Sequence, residues 1–318
     1  MLTFIIRRLI ILIPTAIVVS FLIYLALDLT PGDAVSHMIS PERTADPAKL
    51  AELRQKLGLD APLVVRYWIW ISGVLQGDFG YTMTGGAPIS SVLASRLPAT
   101  LELSGAALVL STIIGSILGT LSALKRGSAT DNILTVVGMI GVSIPEFFFG
   151  LVAIMVFALQ LQWLPVGGRL LPSYSSYWDH IPNLVMPALV LSIMMTAGVM
   201  RYARSSMLDA MGREFIKTAR SKGLPEWRVN LLHGFRVALT PVIVLVGFRL
   251  PMLIGGSMIV EQVFQWPGLG NLFVTSVSNK DLPVVMTVAL LSVMVVLVVS
   301  LLIDVLTAVI DPRVRLGT

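Results

Sequence analysis

The sequence predicts an all-α integral membrane protein with six transmembrane helices, and three observations support this prediction. Apolar residue types make up 55% of the 318 residues and charged types 13%, about half the share of roughly 25% that is usual in soluble domains. Mean hydropathy is +0.85. Six stretches approach or exceed the roughly 20 apolar residues that cross a bilayer. The chain has no cysteine, which excludes disulfides and thiolate metal sites.

The predicted spans follow one another along the whole chain. They cover residues 9–29, 99–124, 133–159, 184–200, 237–260 and 284–310. The first follows Arg7 and Arg8, but it is too long for a signal-peptide core and no cleavage site of small residues closes it. We therefore expect a retained anchor. The fifth span is interrupted by Arg249 and Pro251.

Basic residues gather on one side of these spans. They precede span one, connect spans two and three, fill the loop between spans four and five, and follow span six. These residues are Arg7, Arg8, Lys125, Arg126, Arg201, Arg204, Arg213, Lys217, Arg220, Lys222, Arg228, Arg236, Arg313 and Arg315. The short loops of the other side contain Arg169 and Lys280. Because cytoplasmic loops carry the excess of Lys and Arg, both termini are expected in the cytoplasm.

Three parts are expected along the chain. Residues 1–29 are the N-terminal segment with the first span, residues 30–98 are an external insertion on the periplasmic side, and residues 99–318 are the membrane core with a cytoplasmic loop at 202–236. Within the insertion we expect a short helix over residues 48–58 and an amphipathic, interfacial helix over residues 64–75. A passive lid and a docking surface are equally compatible with this insertion.

The cytoplasmic loop contains a pattern of two helices around a break. A helix is predicted over residues 206–221, then Gly223 and Pro225 interrupt it, and a second helix is predicted over residues 226–235. Trp227, Leu231 and Leu232 share one face of that second helix. We call residues 206–235 the knuckle. Contact with anionic lipid would explain its charge, but two amphipathic helices around a break favour insertion into a groove of another protein.

One segment of the knuckle resembles a known motif. Residues 217–223, Lys-Thr-Ala-Arg-Ser-Lys-Gly, resemble the Glu-Ala-Ala-x-x-x-Gly loop of ABC importer permeases. They are most similar to the variant Arg-Thr-Ala-Arg-Ala-Lys-Gly of the dipeptide/oligopeptide/nickel permease family, first (B-type) subunit. Lys217 and Thr218 replace the Glu and Ala of the broader class, and the closing Leu-Pro is absent at Phe235 and Arg236. Both departures fit the peptide subfamily.

The same resemblance extends over nearly the whole chain. Further similar segments occur in family order at residues 4–9, 29–33, 77–80, 96–103, 143–147, 255–270 and 311–315. The longest is Gly-Gly-Ser-x-Ile-Val-Glu-x-Val-Phe-x-Trp-Pro-Gly-Leu-Gly over residues 255–270.

The resemblance implies a type I ABC importer permease of the MetI-like fold, in a bacterial or archaeal plasma (inner) membrane. It implies a second homologous permease subunit, two ATPase subunits and an external substrate-binding protein. ATP and Mg would bind to the ATPase subunits, and no cofactor is expected on this chain. The residues implied in coupling to the ATPase are Thr218, Ala219, Gly223 and Leu224, and by position Trp227 and Arg228. Since the sequence lacks a G-x-x-x-x-G-K-[ST] phosphate loop, no ATPase site of its own is expected.

Several residues in or beside the spans are candidates for the pathway or a gate. They are Arg249, Glu146, Gly255, Gly256, Glu261 and Trp266. Because a charge inside the bilayer is costly, Arg249 either pairs with a carbonyl or acid in the interior or lies beside the pathway, where it meets a solute carboxylate. Glu146 either lines a cavity or packs at a subunit boundary. Glu261 is either part of the pathway or a structural hydrogen-bonding partner, and Trp266 belongs to a gate or to a plain turn.

The solute expected from the resemblance is a peptide, with glutathione-like solutes and nickel chelates as alternatives. His37, His180 and His233 lie outside the predicted spans without ligand-like spacing, so the sequence predicts no metal site. A self-sufficient channel or carrier is a further alternative. A six-span hydrolase built on Ser257 would need a nearby base, and no predicted span contains a histidine.

Overall fold

A computed structural model describes residues 2–29, 61–170, 174–249 and 258–310. Within these ranges the ordered elements are helices, and one isolated bridge joins Tyr81 and Pro88. The α-helices are α1 (Leu2–Asp28), α2 (Leu63–Leu75), α3 (Ile89–Leu124), α4 (Ala129–Ser143), α5 (Glu146–Ala153), α6 (Ile181–Met211), α7 (Glu214–Ser221), α8 (Glu226–Arg228), α9 (Arg236–Arg249), α10 (Met258–Val263), α11 (Leu269–Ser278) and α12 (Leu282–Ile310). A π-helix continues α5 over Ile154–Gln160 and α8 over Val229–Phe235, and a 3-10 turn, Tyr177–His180, precedes α6.

The apolar helices confirm the predicted membrane-protein class. Five helical segments of the described ranges are long and apolar enough to cross a bilayer: Ile6–Ala26, Ile89–Leu124, Tyr177–Met211, Glu226–Arg249 and Leu282–Val305. A sixth span results if the bent pair Ala129–Ser143 and Glu146–Gln160 is counted as one. The predicted helix over residues 48–58 lies outside the described residues.

The predicted third span over residues 133–159 corresponds to a bent pair of helices rather than to one continuous helix. The helices on either side of Ile144 and Pro145 are bent by 98°. Ile144 is extended, with φ −91° and ψ 131°, because the proline ring disfavours helical dihedrals in the residue before it. Pro145 also has no N–H to donate to the preceding turn, so the helix ends and a new one begins.

The described chain forms two compact units, and the first consists of residues from Met1–Pro98 and Asn271–Ala308. In this unit α2 confirms the predicted amphipathic helix and packs against α1. The buried Tyr67 hydroxyl shares a 2.8 Å hydrogen bond with Ser20 Oγ, and Arg66 donates two hydrogen bonds to Asp28, over 2.6 and 3.0 Å. Asp304 pairs with Arg8 over 3.0 Å. The interfacial location of α2 stays a prediction.

The second unit consists mainly of residues Ala99–Gly270, and glycines bring two of its helices into backbone contact. A Cβ atom on Gly115 would lie 2.7 Å from Val199 Cβ, and one on Gly119 would lie 2.7 Å from Ala203 Cβ. Small residues spaced by four let membrane helices approach closely. On α6, Val199 and Ala203 also pack against Val242 of α9. Helix α6 is therefore held between α3 and α9.

Helix α6 extends well beyond the predicted fourth span. The prediction ended that span at residue 200 and placed Arg201 and Arg204 in a loop, but the helix continues to Met211. Its 31 residues correspond to a length of about 45 Å. The basic side chains that suggested a loop are therefore carried by one continuous helix that leads into the knuckle.

Candidate functional site

The first part of the knuckle contains a helix break that the sequence analysis missed. The predicted single helix over residues 206–221 is wrong, because α6 ends at Met211 and α7 starts at Glu214. Between them Gly212, a poor helix former, is followed by Arg213 in an extended conformation, with φ −80° and ψ 153°. The short helix α7 is therefore separate from α6.

The predicted break between the two helices is confirmed at Gly223 and Pro225. Gly223 has φ +72°, which glycine adopts without a steric penalty, and its N–H donates to the carbonyl oxygen of Arg220 over 2.9 Å. This conformation ends α7 in the way common at helix C-termini. Pro225 is extended and directly precedes α8. The predicted second helix over residues 226–235 is also confirmed, with its last seven residues in π geometry.

A small apolar interior holds the knuckle together. Ile216, Ala219 and Val229 are buried, and Leu224 packs against them. At the base, Met207 and Ala210 of α6 form a second cluster with residues of α3 and α9. The knuckle is therefore packed both internally and against the helices that carry it.

The outer surface of the knuckle is apolar and basic at once. The side chains that we name the apolar ridge, Trp227, Leu231 and Leu232, are exposed by 58%, 52% and 57%. The knuckle also carries exposed cations: Arg213, Lys217, Arg220, Lys222 and Arg228. Phe215 adds a further exposed ring that the sequence analysis did not single out. Exposed apolar groups with a polar rim are typical of a protein-docking surface.

The predicted coupling residues divide between this surface and the interior. Exposed are Thr218, Gly223, Trp227 and Arg228, whereas Ala219 is buried and Leu224 is half-buried. In this arrangement Ala219 and Leu224 maintain the shape of the knuckle, and the exposed four are available to a partner.

Charge pairs lie across the knuckle surface. Lys217 donates to Glu214 over 2.7 Å, and Arg220 donates to the carboxylate of Glu226 over 2.9 and 3.3 Å. The second pair joins the two sides of the Gly-Pro break. The Arg228 guanidinium carbon lies 5.3 Å from the centre of the Trp227 ring, within the range of cation–π attraction.

The sequence analysis also missed an ion pair between Asp131 and Arg204, which lies on α6 just before the knuckle. The buried carboxylate of Asp131 accepts two hydrogen bonds from Arg204, over 2.9 and 2.8 Å, one from Ser122 and one from the N–H of Gly127. It thereby ties the α3–α4 connection to α6. The pattern Ser128-x-x-Asp, a helix-start signal, indicated the acid but not its distant partner.

At Glu261 and Trp266 the structure shows a buried latch, which we define as Thr100, Glu261, Trp266 and Gly268. Thr100 donates to Glu261 over 2.8 Å and accepts from the N–H of Leu269 over 2.7 Å. Trp266 Nε1 donates to the carbonyl oxygen of Ala99 over 2.8 Å. Glu261 and Trp266 are both 0% exposed, the geometry of structural hydrogen-bonding partners.

The remaining candidates lie apart from the latch. Arg249 ends α9 and donates to the carbonyl oxygen of Met195 over 2.6 Å, one of the contacts expected for it. Glu146 is half-buried at the start of α5, directly after the bend. Gly255 and Gly256 lie outside the described residues.

The histidine beside α6 has a structural environment. His180 is 1% exposed, and its ring nitrogens contact Glu102 and the carbonyl oxygen of Tyr177. Arg169 pairs with the same carboxylate over 2.7 Å. Across the described ranges, no group of three or more His, Asp and Glu could hold a metal ion.

Comparisons with known proteins match the chain over its full length. The family described as "Binding-protein-dependent transport system inner membrane component" matches residues 111–316, and its N-terminal membrane-component family matches residues 1–104. The oligopeptide transport system permease protein AppB of Bacillus subtilis is 40% identical over 317 residues, covering 99% of this chain and 100% of that protein. A putative peptide permease protein of Brucella ovis and the glutathione transport system permease protein GsiC of Salmonella choleraesuis are each 38% identical, with 99% of both chains covered.

Proposed function

We propose that this chain, which belongs to the family of binding-protein-dependent transport system inner membrane components, is the permease subunit of an ATP-driven peptide importer. Its family and its apolar helices make it a multi-pass inner membrane protein. As such a component it works with a separate binding protein and with ATPase subunits.

The observation that carries the proposal is the surface of the knuckle. An apolar ridge exposed by more than half on each side chain would be unfavourable in water, and the exposed cations of the knuckle are not suited to the hydrocarbon core. A groove on a cytoplasmic ATPase would bury the ridge and leave the cations at a polar rim. The exposed coupling residues Thr218, Gly223, Trp227 and Arg228 would then touch that groove.

The helices behind the knuckle suggest how a movement of the ATPase would reach the membrane. Through Met207 and Ala210 the knuckle packs against Ala123 near the end of α3 and Ala238 near the start of α9. The Asp131–Arg204 pair further binds α6 to the α3–α4 connection. Closure of an ATPase pair would therefore displace these helices as a rigid body, and the solute path would open at their other end.

The remaining assembly follows from the same proposal. A second homologous permease subunit completes the pathway, and two ATPase subunits bind ATP and Mg, so that this chain needs neither cofactor nor ATPase site. Both termini and the knuckle lie in the cytoplasm, in agreement with the excess of Lys and Arg on that side.

A peptide is the solute that the relatives favour, since the similar Bacillus and Brucella proteins carry oligopeptide and peptide in their names. The glutathione permease at 38% identity supports a second candidate, a glutathione-like solute. The two are chemically close because glutathione is itself a tripeptide.

The test is the association of ATPase subunits with an altered ridge. The variant Trp227→Ala/Leu231→Ala/Leu232→Ala removes exposed side chains, so the fold should be unaffected while docking is lost. Co-purification of the ATPase subunits and ATP-driven peptide uptake in proteoliposomes should both fall at least tenfold, as expected for loss of aromatic and aliphatic hot-spot contacts.

The matched control is Trp178→Ala. Trp178 is 70% exposed, but it lies in the turn before α6, at the other end of that helix from the knuckle. Its removal should change neither co-purification nor uptake. If the ridge variant keeps its ATPase subunits and its uptake, coupling through the knuckle is wrong.

A further inference from the structure

Arg249 carries a half-buried charge in the second unit. Helix α9 runs for 14 residues from Arg236 to Arg249, about 20 Å, and the guanidinium meets α6 near the middle of its 31 residues. There Nη1 donates to the carbonyl oxygen of Met195 over 2.6 Å. Arg249 is the last residue of the segment Glu226–Arg249, which is long and apolar enough to cross a bilayer.

No carboxylate of the described residues neutralises this charge by an ion pair. The segment that follows Arg249, residues 250–257, contains no acidic residue either. On α6, Arg201 lies three positions, about one helical turn, after Gly198, the residue that the Arg249 guanidinium contacts, so a second cation adds to the first. Two neighbouring cations without an ion-pair partner among the described residues favour an anion that reaches them from outside the chain.

Helix α6 provides room for the guanidinium. A Cβ atom on Gly198 would overlap with Nη2 of Arg249, so glycine allows the side chain to lie against the helix backbone. The group is thus held in place on one side by Gly198 and the Met195 carbonyl. A guanidinium has five N–H donors, so donors remain after the bond to Met195.

The cavity beside the opposite face of α6 is chemically different. It has a volume of about 490 Å³ and is lined by apolar side chains, among them Ile193, Ala197 and Met200. Its hydroxyls, Ser192 and Thr196, donate to carbonyl oxygens of α6 itself. That cavity therefore presents no group for an ionic solute, in contrast to the face that carries Arg249 and Arg201.

We infer that Arg249, with Arg201 adding to its field, is a binding point for the carboxylate of a solute inside the translocation pathway. The inference rests on the proposed import of peptides. A charge that faced lipid would be strongly unfavourable, whereas a water-filled path would let a guanidinium bind a carboxylate through two parallel hydrogen bonds. Every peptide with a free C-terminus offers such a group.

The experiment uses the whole complex with its binding protein in proteoliposomes. An equimolar mixture of tetra-alanine with a free carboxylate and tetra-alanine carboxamide is supplied with ATP, and mass spectrometry measures the ratio of acid to amide imported. Arg249→Gln should lower this ratio about tenfold, as expected for loss of a charge-assisted bidentate contact. Because wild type and variant share one binding protein, its selectivity cancels.

Two glycine variants sharpen the result. Gly198→Ala keeps the charge of Arg249 but displaces its guanidinium, so it should lower the acid-to-amide ratio as well. Gly105→Ala is the matched control, since a Cβ atom there meets nothing within 4 Å, and it should leave the ratio unchanged.

Three outcomes contradict the inference. One is an unchanged acid-to-amide ratio in Arg249→Gln. An equal fall in the uptake of both peptides also leaves this ratio unchanged and therefore counts as the same outcome. Another is loss of the second permease subunit from the Arg249→Gln complex, which would show that the partner subunit neutralises the charge. The third is an equal change of ratio in Gly105→Ala. If the wild-type complex imports neither peptide with ATP, the proposed function fails, and this inference falls with it.

Discussion

The knuckle and the latch both belong to the second unit, and they use polar and apolar groups in opposite ways. In the knuckle, Trp227 is 58% exposed and the Arg220–Glu226 pair lies at the surface. In the latch, Trp266 and Glu261 are fully buried and hydrogen-bonded to the chain itself. A tryptophan and a glutamate thus occur in both regions with contrary burial.

This difference separates a contact surface from a structural joint. Buried polar groups that are satisfied by the chain keep a backbone in one arrangement, and they leave little for a partner to bind. An exposed aromatic ring among cations contributes little to the stability of the chain alone, and its apolar area becomes favourable when a partner covers it. The comparison predicts that substitutions in the latch change stability, whereas those in the knuckle surface change association.

The largest effect on stability is expected from Glu261→Ala. The substitution leaves the Thr100 hydroxyl without its acceptor and opens a cavity, which together cost about 3 kcal/mol. The melting temperature of the purified complex should fall by at least about 5 °C. Glu214→Ala in the knuckle is the matched change, because the side chain of Glu214 is 83% exposed, and its melting temperature should stay within about 1 °C. Equal shifts for the two variants would contradict the comparison.

A smaller effect is expected from the glycines, which are required for different reasons in the two regions. A Cβ atom on Gly268 would overlap with the carboxylate of Glu261, so Gly268→Ala should cost about 1–3 kcal/mol through overpacking. A Cβ atom on Gly223 meets nothing within 4 Å, but φ there is +72°, so Gly223→Ala should cost about 1 kcal/mol of backbone strain. Thermal unfolding of the two variants measures these two losses of stability.

Combining each glycine substitution with Glu261→Ala distinguishes overlap with a side chain from backbone strain. In Glu261→Ala the carboxylate that obstructs Gly268→Ala is absent, so the double variant should be clearly less destabilised than the sum of the single changes. The effects of Gly223→Ala and Glu261→Ala should add. Additivity at both glycines would show that overlap with Glu261 is not the reason for Gly268.

Features that depend on neighbouring residues could be predicted from the sequence. Apolar runs predicted the spans, and the Gly-Leu-Pro segment predicted the break at Gly223 because glycine and proline act on their own dihedrals. The spacing of Trp227, Leu231 and Leu232 likewise predicted a shared face, which the structure shows to be exposed.

Features that depend on distant partners could not be predicted. Arg204 suggested a loop, yet it lies on α6, where it pairs with Asp131, 73 positions away. Glu261 was a candidate for the pathway or for a structural hydrogen bond, and the sequence did not indicate that its partner is Thr100, 161 positions away. Hydropathy and periodicity contain no information on such pairs. At Pro145 the motif was recognised, and the proline accounts for the break, but the sequence did not indicate an angle of 98° between the two helices.

The smallest effect is expected from the Arg220–Glu226 pair. Its side chains are 45% and 61% exposed, so water and salt weaken their attraction, and a double-mutant cycle of Arg220→Ala and Glu226→Ala should give a coupling of less than about 1 kcal/mol. The coupling should fall further at about 1 M salt, where the screening length is about 3 Å. Thermal unfolding without the ATPase subunits measures it. A coupling above about 2 kcal/mol would mean that the pair itself stabilises the break, and the knuckle would then resemble the latch more than a surface prepared for a partner.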